Sequence, residues 1–157
     1  RREGMIELEL RHLVDIVVEV EPPDLLGMFP EGERRLIRFV SGSFEGPDGL
    51  RGEVAPGGLD WQVVRADGVI ELAAHYWLRT DAGDAIEVRS DGIRVATPEV
   101  AALIAAGDPV DPSEYYFRTH IRLATSSDRY DRLNRVLAVA WGERKQSTVH
   151  IHVHEIL

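Results

Sequence analysis

The chain alternates from Ile6 through Leu8, Leu10, His12, Val14, Ile16 and Val18 to Val20, the period of a long half-buried strand rather than of a helix. Glu21-Pro22-Pro23-Asp24 ends that run, and residues 22–34, with Gly27, Pro30 and Gly32, read as a loop able to cross a barrel mouth. Strands are then expected over 35–44, 50–54, 60–65, 69–80, 85–90, 115–123, 135–141 and 148–156. Turn signals such as Ala66-Asp67-Gly68 and Asp81-Ala82-Gly83-Asp84 separate several of them. One helix is signposted by Thr97 as cap, Pro98 in its first position, Glu99 in its first turn and Gly107 at its stop, with Val100, Leu103 and Ile104 as its apolar stripe. A short helical turn is expected over 128–134. Many strands, one short helix and no repeat predict a mainly antiparallel all-β fold. A single closed or nearly closed β-barrel with the helix over one end leaves the fewest open edges; a two-sheet sandwich is the alternative.

A chain of 157 residues fits one domain. Arg1 to Gly4 precede Met5, which reads as a start, so the barrel is expected over 5–157 with 1–4 an added or mis-set beginning. Eighteen basic against 27 acidic side chains give a net charge of −9, which opposes binding to nucleic acid or an anionic membrane. The cluster Arg34, Arg35 and Arg38 reads as a solvated strand face. No cysteine, signal pattern or spanning apolar run is present, so a soluble cytoplasmic protein is expected.

Chemistry is sought on the mixed strand faces. In 69–80, Ile70, Leu72, Ala74, Tyr76 and Leu78 share one side and Glu71, Ala73, His75, Trp77 and Arg79 the other. In 115–123, Tyr116, Arg118, His120 and Arg122 oppose an apolar side. Such faces either meet bulk water or, given Trp77 and Tyr116, line an aromatic cavity. In the second case Arg118 would anchor a carboxylate or enolate, and Asp60 or His75 would move a proton, with Tyr116 beside the developing oxyanion. Glu71, Trp61, Trp77, His120 and Asn134 complete the candidate binding set. His150, His152 and His154 share one face of the last strand, an alternative metal ladder, although three consecutive same-side imidazoles rarely converge on one ion. No nucleotide fingerprint, HExxH or GxSxG occurs. A cofactor-free reaction or simple binding is therefore expected.

Residues 42–62 are dense in glycine, either to reverse the chain or to frame a site. This segment, with Ala73 to Leu78, Tyr115 to Thr119 and Leu133-Asn134, resembles the domain-of-unknown-function 3237 family (uncharacterised protein family 0311). Gly42, Phe44, Glu45, Gly46, Gly52, Gly57, Gly58, Asp60, Trp61, Gln62, Tyr76, Tyr116, Arg118 and Asn134 fit its pattern. Ala73 and His75 stand where members commonly carry the Asp and Arg of an Asp-x-Arg-Tyr run. The resemblance implies a barrel over nearly the whole chain and no settled activity. The expected function is a small-molecule-binding barrel. As an enzyme it would be an isomerase, cyclase or lyase acting on a hydrophobic or aromatic carbonyl or carboxylate compound; otherwise it would be a carrier or sensor. The proline-rich loop or an open barrel edge offers a pairing surface for a homodimer.

Overall fold

The computed structural model describes residues 3–157; the first two residues of the expected extra start lie outside them. Ten strands follow in order: β1 (Leu10–Val20), β2 (Asp24–Phe29), β3 (Gly32–Glu45), β4 (Arg51–Val54), β5 (Leu59–Val64), β6 (Ile70–Thr80), β7 (Ala85–Val95), β8 (Tyr116–Thr125), β9 (Leu137–Arg144) and β10 (Thr148–Ile156). Their antiparallel neighbours run β1-β10-β9-β8-β7-β6, then β4 and β5 share the next place, and β3 returns to β1. The result is a closed eight-position barrel. Helix α1 (Pro98–Ala105) joins β7 to β8 at one end; Thr97 caps it, its hydroxyl accepting from the Val100 N–H at 3.2 Å. Ile104 is buried and Val100 packs against the core, but Leu103, the third residue of the expected stripe, is exposed.

Two expectations about the first third of the chain are corrected. The alternation from Ile6 is not one strand: residues 5–9 precede β1 and lie outside any strand, and a bulge between His12 and Val14 reverses the parity. Leu10 and His12 point outward, while Val14, Ile16, Val18 and Val20 enter the core. The supposed loop over 22–34 is instead a hairpin, β2 against β3, with a register shift at Leu25/Gly27 where Gly27 takes φ +102°. Pro22-Pro23 does end β1, but β2 continues along the same side of β3, extending the wall rather than crossing the mouth.

The glycine-dense segment is mostly close packing. A Cβ on Gly52 would stand 2.0 Å from the Arg79 carbonyl oxygen, and one on Gly58 2.5 Å from Tyr76 Cβ. These glycines let β4 and the start of β5 press on β6, which turns Asp60 and Gln62 inward.

The interior is apolar at mid-height, with Ile16, Val18, Ile86, Val88, Ile121 and Val153 almost wholly buried. Its two ends differ. Away from α1, Glu155 lies buried between Arg11 and Arg132, at 2.6 and 2.5 Å. At the α1 end the lining becomes polar.

Candidate functional site

Inward parity places Asp60 and Gln62 on β5, Ser90 and Arg94 on β7, Thr119 on β8 and Arg144 on β9 around one cavity, walled by Phe39, Tyr76, Phe117 and aliphatic side chains of β1 and β10. The cavity holds about 40 Å³, room for roughly three water-sized groups. Phe117 can lean over β9 because the facing residue is Gly142, where a Cβ would meet its ring at 2.7 Å.

Asp60 is the chemical centre. Its Oδ1 accepts from the Ala73 N–H at 3.1 Å and its Oδ2 from Gln62 Nε2 at 2.8 Å. Gln62 is itself oriented by Arg35, whose Nε donates to Gln62 Oε1 at 3.2 Å. Burial pushes the Asp60 carboxyl up to about 6, against the opposing pull of these hydrogen bonds and of Arg94 and Arg35. Burial also lifts the Tyr76 phenol far above its ordinary range. The Thr119 hydroxyl is buried in the wall with no hydrogen-bond partner among the described residues, a rare and costly state for a native side chain. Arg94 is drawn down to about 10, first by burial and then by the like charges of Arg35 and Arg144; burial lowers those two as well. Arg144 spends one nitrogen on the Lys145 and Thr148 carbonyls, and its backbone N–H donates to the Tyr115 hydroxyl. The Arg94 guanidinium makes no hydrogen bond among the described residues.

Of the candidates read from the sequence, the structure puts Asp60 in this cavity and the others elsewhere. The mixed faces of β6 and β8 form the outer wall, because the all-apolar parity fills a lumen too narrow for both. The aromatic cavity expected from that face is therefore not formed by Trp77 and Tyr116, which are exposed. Arg79 lies over the Trp77 ring at 5.0 Å and Arg118 over Tyr116 at 4.8 Å, so these rings shield guanidinium groups. Arg118 also donates to the Phe117 carbonyl at 3.0 Å, and His75 pairs with Glu87 at 2.9 Å in the open. Trp61, Glu71 and His120 do meet, with Ala73 as floor and Asp91 beside them, in an open outer groove. The space left by Ala73 thus belongs to the outside of the barrel. Asn134 is at the opposite end from α1, bridging the Thr125 N–H and carbonyl as a brace for the turn over Asp131–Arg135.

The histidine ladder also faces outward. His152 stacks on Trp141 with ring centres 4.0 Å apart, and its two ring nitrogens lie 2.8 Å from Asp15 and Glu143. His154 meets His12 edge-on at 5.5 Å, and His150 contacts Thr148. Among the described residues no group of three or more histidines and carboxylates is arranged to hold a metal ion. The period-two spacing that aligned the three imidazoles also keeps them apart.

Three lumen arginines were not foreseen. Arg35 was read as part of a solvated cluster, yet Arg34 and Arg38 pair with Glu31 and Asp24 outside while Arg35 turns in. Arg94 and Arg144 lay beyond the expected strand ends at Ser90 and Trp141, but they continue the inward parity of β7 and β9.

A family model described as "Protein of unknown function (DUF3237)" matches residues 8–156. A UPF0311 protein of Clostridium acetobutylicum is 35% identical over 151 residues, covering 96% of this chain and 95% of its own. The solved structure of a conserved protein of unknown function from Rhodopseudomonas palustris superposes with a TM-score of 0.90 at 34% identity, covering 98% of this chain and 99% of that one. A β-barrel-like protein of Acinetobacter baumannii gives 0.85 at 31%, over 99% and 100%. An enzyme from Penicillium herquei shares the fold alone, at 0.73 and 20% identity over the full length of both chains. A match from the first strand to the last, with relatives above 30% identity over nearly their whole length, places this chain in the DUF3237 family.

Proposed function

We propose that the barrel binds a hydrophobic or aromatic carbonyl or carboxylate compound at the α1 end of its lumen and moves a proton on it without a cofactor, as an isomerase, cyclase or lyase. The observation that carries this is Asp60: a buried carboxylate, held at both oxygens, whose pKa of about 6 suits exchange near neutral pH. As base, Asp60 takes a proton from the carbon beside the carbonyl and becomes the acid. The C–H electron pair becomes the C=C bond of an enolate as the carbonyl π pair moves onto oxygen; return of the proton to a different carbon re-forms the carbonyl and completes an isomerisation, whereas in a ring closure the enolate carbon bonds to an electrophilic double-bonded carbon of the same molecule and the displaced π pair takes the proton from Asp60. The Thr119 hydroxyl and the Arg94 guanidinium are the free donors on the same wall. The small cavity accepts the reacting head, leaving an apolar tail at the mouth beside Phe39, Val20 and Val149. The Penicillium herquei barrel is an enzyme, so this fold supports catalysis in at least one distant case.

Native mass spectrometry of untagged protein, then denaturing extraction, would identify a co-purified compound and read the oligomer; a second copy would pair at the free edge of β2, where Leu25 and Met28 are exposed. That compound is then incubated in heavy water with the wild type and with Asp60→Asn. Deuterium uptake or product formation by the wild type alone supports the reading. A compound returned unchanged and unlabelled by both makes the protein a carrier or sensor.

A further inference from the structure

We infer that the lumen ligand is an oxyanion of carboxylate or enolate type, and that Arg94, flanked by Arg35 and Arg144, is its seat. This rests on the lumen being the site, as proposed above, and adds the charge of what enters.

Arg94 and Arg144 line the cavity directly and Arg35 reaches it through Gln62, so three guanidiniums converge where Asp60 supplies a single carboxylate. Glu33 offsets Arg35 at the rim, while Glu143, on the neighbouring strand position, is committed to His152 outside. The whole protein carries a net charge of −9, so a local positive excess runs against its composition. Converging like charges away from water are unfavourable unless an opposite charge joins them. Among the described residues Asp60 is the one carboxylate whose charge bears on Arg94. Arg94 differs from its neighbours in having its side-chain donors uncommitted: Arg35 is bonded to Gln62 and Arg144 to two carbonyls, whereas the Arg94 guanidinium has no hydrogen bond among the described residues. A free planar fork of N–H donors matches the two oxygens of a carboxylate or the oxygen of an enolate. The unpartnered Thr119 hydroxyl offers one more donor. Size agrees, since about 40 Å³ takes a carboxylate-sized head and not a bulky one. Apolar side chains on the remaining walls favour an uncharged tail.

The test uses the intact protein in a buffer free of carboxylate and phosphate, with benzoate, its neutral isostere benzamide, and formate as probes, followed by calorimetry. The expected result is benzoate binding at least roughly 10-fold tighter than benzamide. Arg94→Gln should erase that preference while Arg94→Lys keeps part of it. Unliganded Arg94→Gln should melt no lower than the wild type, because it removes a partly desolvated cation on which the repulsion of Arg35 and Arg144 outweighs the attraction of Asp60; an Arg94 with a purely structural role would make the same variant melt lower. Equal affinity for benzoate and benzamide, no saturable binding of either formate or benzoate, or a preference that survives Arg94→Gln would each overturn the inference. The two readings fail separately. A neutral co-purified compound turned over through Asp60 would sink the anion seat and leave the proton chemistry, whereas tight benzoate binding with turnover indifferent to Asp60→Asn would do the reverse.

Discussion

Two carboxylates are buried at opposite ends of one barrel, and they are perturbed in opposite directions. Glu155 lies 2.6 and 2.5 Å from Arg11 and Arg132, guanidiniums that stay largely in water, and the pair holds its carboxyl below the ordinary value despite burial. Asp60 is held by neutral donors, with its arginines at longer range, and burial wins, raising it to about 6. At the Glu155 end both partner guanidiniums reach water, which absorbs the excess of two cations over one carboxylate. At the Asp60 end the excess of cations lies largely out of water, around a cavity. A buried ionisable group is thus informative through what neutralises it rather than through burial itself.

The largest expected effect is on the pH dependence of stability. Asp60 is easier to protonate folded than unfolded, so its contribution favours the fold at acid pH and is lost as pH rises through about 6. From about pH 3 to about pH 8 the wild type should lose about 3 kcal/mol relative to Asp60→Asn. Urea unfolding of both proteins at both pH values reads this; parallel behaviour would mean that Asp60 ionises as freely as in the unfolded chain.

Glu155 has the opposite sign. Its depressed carboxyl contributes stability above the ordinary value of 4.5, and that contribution is lost as pH falls through its lower folded pKa. Glu155→Ala should cost about 2–3 kcal/mol at neutral pH, and less in strong acid, because the partner arginines can return to water. A smaller, end-specific effect is expected from the caps. Thr97→Ala should cost about 1 kcal/mol and speed amide exchange around Phe117 and Thr119, beside α1. Asn134→Ala should cost about as much and leave those amides unchanged, since its bonds brace the other end. The smallest effect belongs to the outer wall: His152→Ala should shift stability by about 1 kcal/mol or less and leave benzoate affinity untouched. Altered affinity there would mean that the two faces of the wall are coupled.

The barrel was legible because alternation is read directly from sequence, and α1 because Thr97, Pro98 and Gly107 carry local backbone chemistry. The site was only partly legible. Period two tells which residues share a face, not which face is inside, so His75, Trp77, Tyr116 and Arg118 could be grouped correctly and still lie on the wrong side of the wall. Arg94 and Arg144 were hidden by glycines. The expected strands stop at Ser90 and Trp141, just short of Gly92 and Gly142, yet both glycines lie within strands. A Cβ on Gly92 would stand 2.0 Å from the Arg118 carbonyl oxygen, and Gly142 makes way for Phe117. Extending each inward parity two residues past its glycine would have found both arginines.

The seam that closes the ring joins β1 to β10, partners as distant as Leu10 and Ile156. Bringing such remote segments together carries a large entropic cost that is repaid only when most of the sheet exists. Folding should accordingly be slow for a protein of this size, with this seam zipping late. Until it does, Val18, Val149 and Ile151 cannot wall the cavity and Arg144 remains in water, so its electrostatic excess is the last property the molecule acquires and the first it sheds on opening.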